Sequence, residues 1–198
     1  MPAVPVPGLC RPHLPKSRRR RAPAVIAVSA APRRAGAPGP ARGILRFGGA
    51  AWPCALGRSG ISARKREGDG ATPRASMALL ALLWRADRIA RPAMALPTRA
   101  ARPGDGWCDD PRSGCYNRFV HLPFAASHEN VMRADGLYDI VGILDWNLTR
   151  RGRGRGSAIF FHCAGGSLEP TAGCIALPRA VLHRLMGRLP ARVKLTVG

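Results

Sequence analysis

Residues 137–146 read LYDIVGILDW. Tyr138, Ile140, Leu144 and Trp146 alternate with Val141 and Ile143, so both faces of an extended segment here are largely apolar. A strand apolar on both faces belongs in the middle of a sheet, covered above and below. Residues 151–156 (RGRGRG) follow as a loop able to turn the chain back, and residues 157–162 (SAIFFH) read as a second strand. This pair sets the class as mainly β.

Outward from it, the pattern continues in strands. Residues 44–47 (ILRF) and 50–56 (AAWPCAL) flank Gly48-Gly49, which reads as a β-hairpin. Residues 57–73 are turn-rich. Residues 77–84 (MALLALLW) have the length of a buried strand but an Ala and Leu content that also suits a helix. Residues 85–114 are irregular, broken by Pro92, Pro97, Pro103 and Pro111. Downstream, Pro178 suits a first helical position, and Val181, Leu182, Leu185, Met186 and Leu189 form one apolar stripe that stops at Pro190. Residues 192–197 alternate and close the chain as a strand. The expected domain spans residues 41–198, mainly β with one or two helices and no internal repeat.

Apolar residues make up 46% of the 198, enough for a core, and six cysteines are too few for a disulfide-stapled scaffold. No apolar run reaches the roughly 18 residues of a membrane-spanning helix. The net charge of +21 is unevenly placed. Fourteen of the 32 Lys and Arg residues precede Glu67, the first acidic residue. Residues 1–40, rich in Pro, Ala and Arg, are expected to be a disordered tail. Residues 22–31 (APAVIAVSAA) behind the arginine block also admit a degenerate export signal, cleaved after Val28-Ser29-Ala30. Only Lys16, Lys65 and Lys194 are lysines, so the arginine excess follows codon composition as well as any polyanionic partner. A basic, non-enzymatic binding protein for nucleic acid or envelope polyanions is nonetheless the alternative reading of this charge.

Few residues can do covalent chemistry. His162 ends a strand, and Cys174 follows after a Gly- and Pro-rich segment that can fold back. A thiol must lose its proton to attack, and an imidazole within hydrogen-bond reach can take it. The nearby helix N-terminus is expected to favour the thiolate. Gly173 permits an unusual backbone or a close approach. Amides near Gly173 and Cys174 can face an oxyanion.

The segment from His162 to Leu177 resembles the signature of the L,D-transpeptidase catalytic domain family (YkuD type): a His, a loop, then Thr171-Ala172-Gly173-Cys174-Ile175. The resemblance extends to residues 54–60 (CALGRSG), 65–73 (KREGDGATP), 106–111 (GWCDDP), 116–118 (YNR) and 136–139 (GLYD), and so covers about residues 40–198. It implies a bacterial β-sandwich cysteine acyltransferase of cell-wall (peptidoglycan) biosynthesis and cell shape. Cys174 would attack a stem-peptide carbonyl, expel D-alanine and pass the acyl group to an amine or to water. By position Cys174 is the nucleophile and His162 the general base and acid. Ala172 and Gly173 contribute oxyanion amides, and Thr171 orients the loop. Peptidoglycan stem peptides are the implied partners, with no cofactor, metal or nucleic acid, a monomeric state, and a periplasmic or envelope location. Two positions depart from the family pattern: Ala176 stands where many members carry an Arg, and Ala172 where many carry a polar residue.

Other clusters read as structural. Cys108, Cys115, His121 and His128 lack the close ligand pairs of a zinc site. Cys54 and Cys108 are core residues or, in an exported chain, a disulfide. Cys163 faces away from His162 on a strand and packs. Asp109, Asp110 and Asp139 are expected in solvated turns rather than as a catalytic carboxylate pair.

Overall fold

The computed structural model describes residues 22–32 and 42–198. In chain order the elements are β1 (Ala24–Ala30), β2 (Arg42–Phe47), β3 (Ala50–Ala55), β4 (Ile61–Ser62), β5 (Thr72–Pro73), β6 (Ser76–Trp84), β7 (Thr98–Ala100), β8 (Asp105–Cys108), β9 (Arg118–His121), β10 (His128–Asn130), β11 (Ile140–Leu144), β12 (Phe160–Ala164), β13 (Ile175–Pro178), α1 (Arg179–Met186) and β14 (Val193–Val197). The class is mainly β with one helix among the described residues.

The large sheet runs β11-β12-β13-β3-β2-β1-β14-β6-β7, and β6 also pairs with β11. The strand order therefore returns to its start, giving a closed, barrel-like sheet with β7 appended, not the expected sandwich. Strand β6 makes closure possible because it is long enough to serve three neighbours. Leu79 to Trp84 pair with β11, while Ser76 to Ala78 pair with β14 and Leu82 to Trp84 with β7. This settles residues 77–84 as strand. β11 is flanked on both edges and is buried at all five positions, as its two-faced apolar pattern requires. The Gly48-Gly49 hairpin forms between β2 and β3.

Three expectations need correction. Residues 24–30, read as part of the tail and as an export segment, form β1. It pairs in parallel with β14 and antiparallel with β2, and it buries Ile26 and Val28. Alternating Val and Ile side chains that reach a core outweigh the neighbouring Arg and Pro content. The rest of the expected tail lies outside the described residues. Residues 85–114 are not wholly irregular, since β7 and β8 lie between the prolines. Strand β12 begins at Phe160, later than the expected 157, because Ala158 takes a positive φ of 48° and bends the chain.

Alternation along the ring strands divides the core into two clusters. Ile140, Leu144, Phe161 and Cys163 join Ile26, Leu45, Met77 and Leu195 on one side, where Leu182, Leu185 and Met186 of α1 also pack. Burying each such Leu or Ile contributes about 1.5–3 kcal/mol. Pro178 sits at the N-cap of α1, one position before the expected one, and Gly187 ends the helix. Val141, Ile143 and Phe160 point to the opposite side, against Ala81, Leu83, Trp107, Tyr138 and Cys174. There the small β10-β8-β9 sheet covers the ring through Trp107, whose ring meets Phe160 edge-on at 5.3 Å.

Candidate functional site

Cys174 lies just before β13, which runs parallel to β12 in a register that pairs Phe161 with Ile175 and His162 with Ala176. Cys174 is therefore level with Phe160. Two residues further along β12, the His162 side chain points the same way. The two candidate side chains share one face and line one cavity of about 360 Å³. Cys163, on the opposite face, packs in the first cluster as expected.

The thiol is held by backbone. Its Sγ accepts from the Phe160 amide at 3.3 Å and donates to the Ala158 carbonyl at 3.2 Å. Asn117 fixes the Ala158 bend by accepting from its amide at 3.1 Å. Asn117 is itself buried, accepts from Trp107 Nε1 at 2.9 Å and donates to the Trp146 and Asn147 carbonyls. His162 Nδ1 donates to the Cys163 carbonyl at 2.8 Å, since a carbonyl can only accept. That assignment leaves Nε2 as the basic nitrogen. The Tyr138 ring meets the imidazole edge-on at 5.2 Å.

Burial dominates the electrostatics of both groups. It pushes the Cys174 thiol up to about 12, with the Phe160 amide opposing. It also drives His162 down to about 4, against hydrogen bonds at Cys163 and Leu137. The resting pair is thus a neutral thiol and a neutral imidazole. This corrects the expected preformed thiolate: a buried charge costs more than a helix end five residues away returns.

The loop carrying Cys174 is clamped by residues 57–72, within the stretch read as turn-rich. Thr171 bridges Gly57. Its amide donates to the Leu56 carbonyl and its carbonyl accepts from the Arg58 amide, both at 2.9 Å. The Thr171 hydroxyl donates to the Cys174 carbonyl at 2.7 Å and accepts from the Gly173 amide at 3.1 Å. The Gly173 amide is therefore committed, which removes it from the expected oxyanion donors and leaves those of Ala172 and Cys174. Gly173 has φ 142°, and a Cβ there would stand 2.8 Å from the Ala71 carbonyl oxygen. At Gly57 a Cβ would meet the Gly70 oxygen at 2.3 Å. Gly173 lets the two loops touch, and Gly57 lets the 57–72 segment fold back on itself.

The cavity wall carries both signs of charge: Arg58, Lys65 and Arg133 against Glu67, Asp109, Glu129 and Glu169. Glu67 accepts from Tyr116 and from Ser157 at 2.8 Å. Its amide donates to the Gly154 carbonyl at 2.9 Å, so the Arg-Gly loop braces the site. Arg133 is engaged by Asp135 at 2.5 Å and lies over the Tyr138 ring. Ala176 also lines the cavity, where a longer residue was expected from the family pattern.

The remaining sequence candidates fall elsewhere. Asp139 is not in a solvated turn. It is buried between Arg88 at 3.2 Å and Arg179 at 2.7 Å. Asp109 faces the cavity, and Asp110 accepts from the Arg112 amide at 2.9 Å, so neither pairs with Asp139. Cys54 and Cys108 are free buried thiols, not a disulfide. Cys108 and His128 stand opposite each other across β8 and β10, and His121 lies on β9. No group of three or more His, Cys, Asp or Glu that could hold a metal occurs among the described residues. Sequence reasoning assigned no role to Asn117, Ala158 or Lys65. Lys65 carried a signal, being one of three lysines in a chain that otherwise uses arginine.

No helix among the described residues is long and apolar enough to cross a membrane. No curated protein and no solved structure matches the chain. The family model of the L,D-transpeptidase catalytic domain, YkuD, matches residues 46–197. The chain belongs to that family of transpeptidases, which act on peptidoglycan.

Proposed function

We propose that the protein is a cysteine acyltransferase of peptidoglycan stem peptides that works in the periplasm or cell envelope. The observation that carries this reading is the placement of Cys174 and His162 on one face of the β12–β13 pair, opening into one cavity. With both groups neutral at rest, the thiol turns from the Ala158 carbonyl toward Nε2 of His162 as the peptide enters. Sulfur attacks the carbonyl before the terminal D-alanine while its proton passes to His162. The amides of Ala172 and Cys174 receive the oxyanion. Collapse of the tetrahedral species expels D-alanine, whose amine takes the proton from His162, and leaves a thioester on Cys174. An amine of a second stem peptide resolves it in transpeptidation, or water in L,D-carboxypeptidation. Thr171 keeps the loop in register throughout. A wall that mixes three cations with four carboxylates suits a zwitterionic peptide better than a polyanion.

Incubation with a disaccharide tetrapeptide tests the reading. D-Alanine release and an acyl adduct in the intact mass are expected, both lost in Cys174→Ser and His162→Ala. No release and no adduct with the unaltered protein refute it.

A further inference from the structure

Lys65 is a buried cation that lines the same cavity as Cys174. Its side chain is only 2% exposed, its stem packs on Gly156, and its Nζ would lie 3.5 Å from a Cβ on Gly173, the residue preceding the nucleophile. Nζ donates to the Arg66 carbonyl at 2.8 Å and to Asp69 Oδ1 at 2.5 Å. An ammonium has three N–H donors. Two are spent on its own loop, which leaves one N–H on a residue that lines the cavity. Asp69 is itself fixed by the amides of Arg66 at 2.7 Å and Ala71 at 2.9 Å, so the ammonium is held rather than free to swing. Burying an ammonium with one donor unused is costly unless another group makes use of it.

We propose that Lys65 is the electrostatic partner of the Cys174 reaction centre, its charge behind Gly173 stabilising the anion that forms on sulfur and then on the attacked carbonyl oxygen. This rests on Cys174 being the reacting thiol. It supplies positive charge at a centre whose Gly173 amide is already bonded to Thr171 and whose Ala176 offers none. The other charged or titratable groups facing the sulfur do not replace it. Glu129 of β10 opposes an anion, Arg133 is engaged by Asp135 and Glu129, and Tyr138 is neutral. His162 becomes a cation only by taking the thiol's own proton, whereas Lys65 is charged beforehand. Within its loop Lys65 is paired with Asp69, whose side chain is 24% exposed, while Glu67 of the same loop is engaged by Tyr116 and Ser157.

Two substitutions of opposite sign test the assignment. The rate of Cys174 alkylation by iodoacetamide, located by peptide mass, is followed from pH 6 to 10 with melting as the check on folding. Lys65→Met should slow alkylation about tenfold at pH 8, the equivalent of one unit in the thiol, with Lys65→Arg restoring most of the rate. Asp69→Asn leaves the ammonium less neutralised and should speed alkylation about threefold. With disaccharide tetrapeptide, Lys65→Met should lower kcat with KM unchanged. Lys65→Met that is folded and has an unaltered pH–rate profile overturns the proposal. So does Asp69→Asn that slows alkylation, and that variant alone decides the matter if Lys65→Met does not fold. Alkylation needs no peptide: if the unaltered protein releases no D-alanine while the two shifts still appear, the proposed function fails and this inference stands.

Discussion

Replacing Gly57 by Ala tests the clamp without touching a reacting group. The new methyl would stand 2.3 Å from the Gly70 oxygen, 2.7 Å from the Thr72 nitrogen and 2.8 Å from the Ala71 carbonyl carbon. All three are backbone atoms, so no side chain can rotate away and the 57–72 loop must move. Overpacking of this kind costs about 1–3 kcal/mol. In a domain of this size each kcal/mol lowers the melting point by about 2–4 °C, so a fall of about 2–12 °C is expected. Function should suffer more than stability. Gly57 bridges Thr171, and Thr171 holds the Cys174 carbonyl. Displacing reacting groups by about 1 Å costs on the order of a hundredfold in rate. Gly49→Ala is the control. Its φ of 80° imposes a backbone strain of about 1–2 kcal/mol, comparable in size to the overpacking cost at Gly57, but its Cβ meets nothing within 4 Å and it lies in the remote hairpin. Calorimetry and D-alanine release on both variants decide the matter. A Gly57→Ala protein as active as Gly49→Ala would show that the clamp does not position the nucleophile.

Three further outcomes follow from burial and charge. Because His162 titrates near 4 when folded and near 6.5 when unfolded, the unfolded chain binds the extra proton between those values. Stability should therefore fall as pH drops through that window, by up to about 1.4 kcal/mol per pH unit, and His162→Gln should flatten the slope in acid denaturation curves. At the alkaline end Cys54, Cys163 and Cys174 are all held near 12, so the unfolded chain loses those protons first. Melting temperatures should decline above about pH 9, less steeply in Cys163→Ala. Asp139→Asn leaves two arginines that still reach water, their side chains 32% and 58% exposed, and should cost only about 1–2 kcal/mol in urea unfolding. Removing both Arg88 and Arg179 strands a buried carboxylate and should cost more, about 3–5 kcal/mol.

The parts of the fold legible in the sequence were those written in side-chain periodicity. The two-faced run of β11, the hairpin around Gly48-Gly49 and the stripe of α1 each follow from local pattern. Closure of the sheet is not local. It depends on β6 having neighbours on both edges, and nothing in MALLALLW distinguishes an edge from an interior position. Strand β1 was obscured because its Val and Ile lie among Pro and Arg, a composition that elsewhere goes with unfolded chain. At the site, the order of strand, loop and helix pointed to His162 and Cys174 lying near each other, and the β12–β13 register puts them on one face. Their protonation could not, because burial comes from Trp107, Tyr138 and Phe160, which arrive from three separate elements. Asn117 looks like any turn residue until its side chain is seen joining Trp107, Ala158 and the 146–147 backbone.

The pairing of β1 with β14 has a consequence for synthesis. The first described strand lies beside the last, in parallel, and β2 covers its other edge. A ribosome releases β14 only after the other described elements, so Ile26 and Val28 wait for their neighbour until then. Contacts between residues as far apart in sequence as Ala24 and Val193 form slowly. The barrel is therefore expected to close only once β14 has emerged, leaving an interval in which the edges of β1 and β6 that it covers stand open.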